Sequence, residues 1–109
     1  MNYTITYYSA EVQTEILALP KTLQARYIGL SARMLIHGAN LGEPHTKALG
    51  DGLFELRLKG TEGIARVFYC TLVGRRIVML HSFVKKTQKT PVHELKIAQN
   101  RMNEVKHEH

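Results

Sequence analysis

The side chains best suited to chemistry in this sequence are cations placed at strand-like spacing. Between residues 54 and 59 apolar and charged residues alternate, so a strand there would turn Arg57 and Lys59 to one face together with Glu55. Guanidinium and ammonium groups gathered on one face can bind phosphate and stabilise negative charge that develops on it. Further cations follow in the next two β-prone segments and just beyond them: Arg66, Lys85, Lys86 and Lys89.

Arg66 is the most informative of these cations. It lies in an otherwise apolar β-prone run, residues 64–69, where an unpaired charge is costly and usually has a partner or a task. Glu55 is the predicted partner. A solvated charged face is the alternative interpretation, because Lys and Arg side chains are normally exposed.

The elements that must position these side chains follow from the periodicity of the sequence. A short strand precedes two helices, with Ser9 as the cap of the first helix, Pro20 between them and Gly38 as the stop of the second. Residues 39–52 lack periodicity and are predicted to be a loop, and a final helix is expected to be capped by Thr90. Between them, the segments around 54–59, 64–73 and 77–84 predict a three-stranded antiparallel meander. The fold class is therefore α+β, with residues 1–109 as one domain.

Composition restricts the partners and the compartment. The chain of 109 residues carries 15 Lys and Arg against 9 Asp and Glu, a net charge of +6 that favours a polyanionic partner. Cys70, the one cysteine, cannot form a disulfide within the chain, which favours a reducing compartment. No run approaches the roughly 20 apolar residues of a membrane span, and the N-terminus does not look like a secretory signal. We expect a cytoplasmic protein without membrane contact.

Three features together resemble a known superfamily. They are the segment LGDGLFELRLKGTEGIARVFYC, the segment IVMLHSFVKKTQKTP, and a basic C-terminal helix with Ala98 and Arg101. In this order they resemble the phage-derived, HigB-like branch of the RelE/ParE toxins, over Leu49 to Arg101. The resemblance implies a RelE-like fold and ribosome-dependent cleavage of messenger RNA without metal or cofactor. It also implies an antitoxin, a small helix-turn-helix protein, that covers the active face.

The resemblance also implies roles for individual residues. In RelE-like enzymes the 2′-hydroxyl of the RNA attacks the adjacent phosphate, which requires cations and usually a proton acceptor and donor. Arg66 matches the strand arginine that these enzymes direct at the scissile phosphate. Lys86, and less closely Lys85, matches the basic residue that closes the last strand. The remaining cations expected to bind RNA are Arg57, Lys59, Lys89 and Lys47.

Two departures from the RelE pattern concern proton transfer. Glu55 and Arg57 stand where some relatives have two lysines, and the C-terminal tyrosine of those enzymes is missing. His93 occupies about the place of that tyrosine and is the predicted acid or base, since an unperturbed histidine pKa of about 6.5 allows proton exchange near neutrality. A surface histidine without a role is the alternative, and His81 is expected to be a hydrogen-bonded sheet residue.

Two other functions remain open on the sequence. ParE-like members of the superfamily inhibit DNA gyrase by binding, without nuclease activity, and they have no need for the clustered Arg57, Arg66 and Lys86. A phage-related module that binds nucleic acid without chemistry would account for the charge but would leave Arg66 and His93 unexplained.

Overall fold

The computed structural model describes residues 2–86 and 89–108. Within these residues, three helices cover the two faces of a five-stranded, mostly antiparallel sheet, which confirms the α+β class and is compatible with a RelE-like fold. Thr87 and Gln88, which belong to the last segment of the resemblance, lie outside the described residues. The elements are β1 (Thr4–Tyr7), α1 (Ala10–Leu17), α2 (Lys21–His37), β2 (Thr46–Gly50), β3 (Leu53–Gly60), β4 (Gly63–Leu72), β5 (Arg76–Lys85) and α3 (Val92–His107).

The predicted meander forms the centre of the sheet. Strand order is β1-β5-β4-β3-β2, with β3, β4 and β5 antiparallel neighbours and β1 parallel to β5 at one edge. The predicted ends of the first two helices are also found: the Ser9 hydroxyl accepts from the backbone N–H of Val12 at 3.2 Å, and Gly38 ends α2 at φ +93°. No helix among the described residues has the length and apolar character needed to cross a membrane.

The prediction of a loop over residues 39–52 was wrong in part, because β2 lies within it. This strand pairs antiparallel with β3, with Thr46 opposite Leu56 and Ala48 opposite Phe54. Only Thr46 of its five residues is buried. An edge strand held mainly by backbone hydrogen bonds needs no alternation of apolar and polar residues, so the sequence carried no periodic signal for it.

Helices cover both faces of the sheet, so the face predicted to be charged is only partly exposed. On one face Leu58, Val67 and Tyr69 belong to the core that α1 and α2 complete. On the other face Phe68 and Leu80 belong to a second core, completed by residues of α3. Because α3 covers only part of this second face, the remainder is left open for the charged side chains of β3, β4 and β5.

A β-bulge in β5 decides which of its side chains share that open face. Phe68 pairs with His81 whereas Tyr69 pairs with Met79, so Leu80 is an extra residue in β5. Beyond the bulge Phe83 lies opposite Arg66. The guanidinium of Arg101 on α3 donates from Nη1 to the carbonyl oxygen of Leu80 at 2.8 Å, which fastens α3 to the bulge.

The contact of Arg101 with the bulge leads to a stability prediction. Arg101→Ala leaves the Leu80 carbonyl without this charged donor and should lower the free energy of unfolding by about 1.5–3 kcal/mol. The measurement is urea denaturation followed by circular dichroism, with the slope m checked for constancy. Lys96→Ala, at an exposed position of the same helix, is the control and should change stability by less than about 0.5 kcal/mol. Equal midpoints for the two variants would contradict the assigned role of Arg101.

Candidate functional site

A pocket opens on the sheet face where α3 leaves the strands uncovered. Its volume is about 250 Å³. Side chains from β2, β3, β4, β5 and the segment before α3 meet there, so residues far apart in the sequence contribute to one site. Its polar lining consists of Lys47, Glu55, Arg57, Arg66, Lys85 and Thr90. We refer to this cavity as the site pocket.

Glu55 is the buried carboxylate in the wall of the site pocket, with 5% of its surface exposed. Its Oε1 lies 3.3 Å from Nε of Arg66, which confirms the predicted pairing, and its Oε2 lies 3.5 Å from Nε of Arg57. The hydroxyl of Thr90 donates to Oε1 at 3.3 Å. One carboxylate is therefore the shared counter-charge of two arginines, which is how a protein can keep two cations close together and partly buried.

Arg66 is held with unused hydrogen-bonding capacity. Its side chain is 13% exposed, and Nη1 donates to the carbonyl oxygen of Ala65 at 3.3 Å. The buried Nε is close to Glu55 but is not aligned for a hydrogen bond with any of the described residues. Burial lowers the pKa of Arg66, although the guanidinium stays charged near neutrality. The ion pair with Glu55 therefore compensates the burial of this guanidinium in the wall of the site pocket.

Lys85 and Lys47 extend the positive charge across the site pocket. Lys85 lies opposite Ile64 and is half-buried, and Lys47 lies opposite Glu55 and is exposed. Desolvation, together with the nearby guanidinium of Arg66, lowers the pKa of Lys85. A lysine with a lowered pKa exchanges its proton closer to neutrality, so Lys85 can serve in proton transfer as well as in phosphate binding.

Four of the predicted site residues do not line the site pocket. Lys59, farther along β3, lines a neighbouring cavity, and Lys86 is exposed immediately after β5. Lys89 is exposed in the segment before α3. His93 is exposed in the first turn of α3, and its role in proton transfer stays a prediction.

Two other expectations concern residues beside the site pocket. His81 is the predicted hydrogen-bonded sheet residue, since its Nε2 lies 2.6 Å from Oε1 of Glu94. Thr90, by contrast, does not cap α3: Pro91 occupies the N-cap position without a side-chain hydrogen bond, and the Thr90 hydroxyl is used by Glu55 instead. The cap prediction considered only local sequence, and the buried carboxylate on β3 is a stronger acceptor for this hydroxyl.

Sequence reasoning missed two residues near the site, Arg26 on α2 and His45 before β2. Both line the cavity that also contains Arg57 and Arg66. The carbonyl oxygen of His45 accepts from the backbone N–H of Arg57 at 2.8 Å, which places His45 beside β3. Neither residue belongs to a motif, so no signal in the sequence could have connected them with the arginines.

The fold and the site define an α+β protein with a cationic pocket suited to a phosphate-bearing ligand. Residues 14–103 match the family described as phage-derived Gp49-like protein (DUF891). The match covers more than half of the chain, so this protein belongs to that family, which is RelE/toxin-like. No curated protein matches the chain. The narrower HigB-like resemblance stays a prediction.

The lowered pKa of Lys85 can be tested by chemical modification. The rate at which Lys85 reacts with an amine-selective reagent should rise at lower pH than the rate for a lysine in a short reference peptide, because only the neutral amine is nucleophilic. Peptide mass spectrometry after labelling across a pH series gives the midpoint for each lysine, independently of its accessibility. Arg66→Gln removes a positive neighbour and should move the Lys85 midpoint upward. Coinciding midpoints for Lys85 of the original chain and the reference lysine would contradict the electrostatic description.

Proposed function

We propose that this protein is the toxin of a type II toxin–antitoxin system and acts as a metal-independent endoribonuclease on messenger RNA at the ribosome. The observation that carries the proposal is the site pocket, in which Arg57, Arg66 and Lys85 surround a buried carboxylate, Glu55. Membership of a RelE/toxin-like family supports it. The partners are messenger RNA, the ribosome and a small helix-turn-helix antitoxin, and the compartment is the cytoplasm.

The proposed reaction uses a nucleophile that the RNA itself supplies. The 2′-hydroxyl attacks the adjacent phosphorus, the bond to the 5′-oxygen breaks, and the products carry a 2′,3′-cyclic phosphate and a 5′-hydroxyl. Negative charge increases on the phosphoryl oxygens in the transition state, so preorganised cations beside them lower the barrier. Arg66 fits this task best, because its guanidinium lines the site pocket and is held in place by Glu55.

Two protons must move during this reaction. One leaves the 2′-hydroxyl, and one reaches the 5′-oxygen as it departs. The site pocket contains a carboxylate that can accept a proton, Glu55, and an amine that can donate one, Lys85. His93 remains a third candidate from the sequence, and it would have to approach the RNA from the exposed start of α3.

The catalytic proposal predicts that replacing Arg66 greatly lowers the rate of message cleavage. Arg66→Ala should lower the single-turnover rate of message cleavage on purified ribosomes by about 10²-fold or more, the scale for loss of one preorganised stabilising group. Cleavage is read by primer extension, and circular dichroism establishes that the variant is folded. Lys96→Ala, on the outer surface of α3, is the matched charge control and should cleave at the original rate.

Three outcomes would contradict the nuclease proposal. An undiminished rate in folded Arg66→Ala would remove the catalytic assignment. Growth arrest with intact messages and gyrase-linked DNA breaks would favour the ParE-like inhibitor. Binding of RNA without cleavage by the original chain, under conditions in which ribosomes translate, would favour a non-catalytic nucleic-acid-binding module.

The proton carriers should be separable by their pH–rate profiles. Loss of a proton carrier lowers the rate by roughly 10²–10⁴-fold and removes one limb of the profile, whereas loss of a positioning group lowers the rate at all pH values. Lys85→Ala is expected to remove one limb, whereas Glu55→Gln removes the counter-charge of Arg57 and Arg66 and is expected to lower the rate at all pH values. His93→Gln tests the prediction from the sequence, and a profile identical to that of the original chain would exclude His93 as a carrier.

A further inference from the structure

Two cavities continue from the site pocket toward α2. The first, of about 710 Å³, shares Arg57 and Arg66 with the site pocket and extends to Arg26. The second, of about 510 Å³, shares Arg26 and His45 with the first and extends along α2 to Arg33. Both volumes lie within the range of about 300–1,000 Å³ typical of ligand pockets. We call the two cavities together the α2 groove.

The α2 groove exists because β2 is shorter than β3. Their pairing begins at Thr46 opposite Leu56, and the N–H of Arg57 then bonds to His45 before the chain leaves the sheet. Among the described residues, no strand therefore pairs on that side with the last part of β3, from Leu58 to Gly60. The open edge connects the sheet face that carries the site pocket with the side of α2.

The charge of the α2 groove has one sign. Its ionisable lining consists of bases, and none of the described residues that line it is a carboxylate. Two carboxylates outside the lining contact residues of it: Glu43 pairs with Nη1 of Arg57 at 3.1 Å, and Glu62 accepts from the N–H of Thr22 at 2.7 Å. The bases that line the groove are Arg26, Arg33, His45, Arg57, Lys59 and Arg66.

A glycine keeps the far end of the α2 groove open. Gly29 lies within α2 between Arg26 and Arg33, where glycine disfavours the helix. A Cβ atom added there would meet no atom within 4 Å. Packing inside the chain therefore does not explain the glycine, whereas close approach of a ligand to the helix backbone would.

We propose that the α2 groove binds the sugar–phosphate backbone of the single-stranded RNA whose scissile phosphate lies in the site pocket. This inference rests on the proposed function. The RNA passes from Arg66 around the open edge of β3 and continues along α2 between Arg26 and Arg33. Since the described residues of the groove offer cations and a bare helix backbone, with His45 as the one aromatic ring and no Phe, Tyr or Trp, contacts there are mainly with phosphates and depend little on base sequence.

The probes are fluorescent RNA oligonucleotides of three and nine nucleotides, as oligo-U and oligo-A, with 2′-O-methyl groups that prevent cleavage. The nine-nucleotide RNAs should bind more tightly than the three-nucleotide RNAs. Arg26→Ala/Arg33→Ala should weaken binding of the longer RNA about tenfold or more at low salt and reduce the salt slope by about 1.4, corresponding to two phosphate contacts. Affinity for the shorter RNA should change less than twofold.

A matched pair of substitutions at Gly29 tests the path of the RNA without removing a cation. Gly29→Glu places a carboxylate in open space within the α2 groove and should weaken binding of the longer RNA strongly, whereas Gly29→Ala adds only a methyl group beside the helix backbone and should weaken it much less. Lys96→Ala, which lies outside the groove, controls for net charge. Circular dichroism establishes that each variant is folded.

The outcomes separate this inference from the nuclease proposal. Equal affinity for short and long RNA would overturn the proposal that the α2 groove binds RNA, even if the protein cleaves messages on ribosomes. The same conclusion would follow if Gly29→Glu bound the longer RNA as tightly as Gly29→Ala does. Gly29→Glu could instead bind ribosomes that carry no message more weakly while its affinity for the oligonucleotides is unchanged. That result would overturn the proposal and would indicate that the α2 groove contacts ribosomal RNA. If the variants behave as expected and the original chain never cleaves RNA, the groove stands as an RNA path and the nuclease proposal fails.

Discussion

A buried carboxylate between two arginines is the interaction on which the rest of the site depends. Two guanidinium groups side by side on a half-covered sheet would repel each other and lose solvation. Glu55 contacts both, at 3.3 Å from Arg66 and 3.5 Å from Arg57, and it accepts a further hydrogen bond from the hydroxyl of Thr90. The arrangement offsets part of the positive charge within the wall and keeps both guanidinium groups in the lining of the site pocket.

The third helix determines how much of this charged face reaches solvent. Ala98 and Met102 bury one part of the sheet face, while Thr90, just before the helix, joins the wall of the site pocket. The attachment of α3 at Leu80 through Arg101 also fixes the strand bulge. One helix therefore contributes to the second core, to the register of β5 and to the boundary of the pocket.

The short edge strand β2 determines how far the basic surface extends on the opposite side of the site. Because β2 begins only at Thr46, opposite Leu56, the cations of β3 and β4 are continuous with those of α2. A longer β2 would cover the edge of β3 and separate Arg66 from Arg26. The extent of the basic surface is thus set by where backbone pairing stops.

The sequence by itself determined the parts of this protein that depend on local periodicity and on the cost of burying charge. It predicted the meander of β3, β4 and β5, the Ser9 cap, and the pairing of Arg66 with Glu55, and the structure confirms them. These features have signals within a few residues, because alternation marks a strand and an isolated cation in an apolar run requires a partner.

Only the tertiary structure decided which cations meet. Without the bulge, regular pairing would place Ser82 opposite Arg66 and would turn position 86 toward the sheet face that carries Arg66. With the bulge, Phe83 lies opposite Arg66 and Lys85 lines the site pocket. Likewise, no alternation of apolar and polar residues marked β2 as a strand, and no motif connected Arg26 with the site. A bulge, an edge pairing and a helix docked beside a strand depend on contacts between distant segments, and those contacts follow from packing rather than from spacing along the chain.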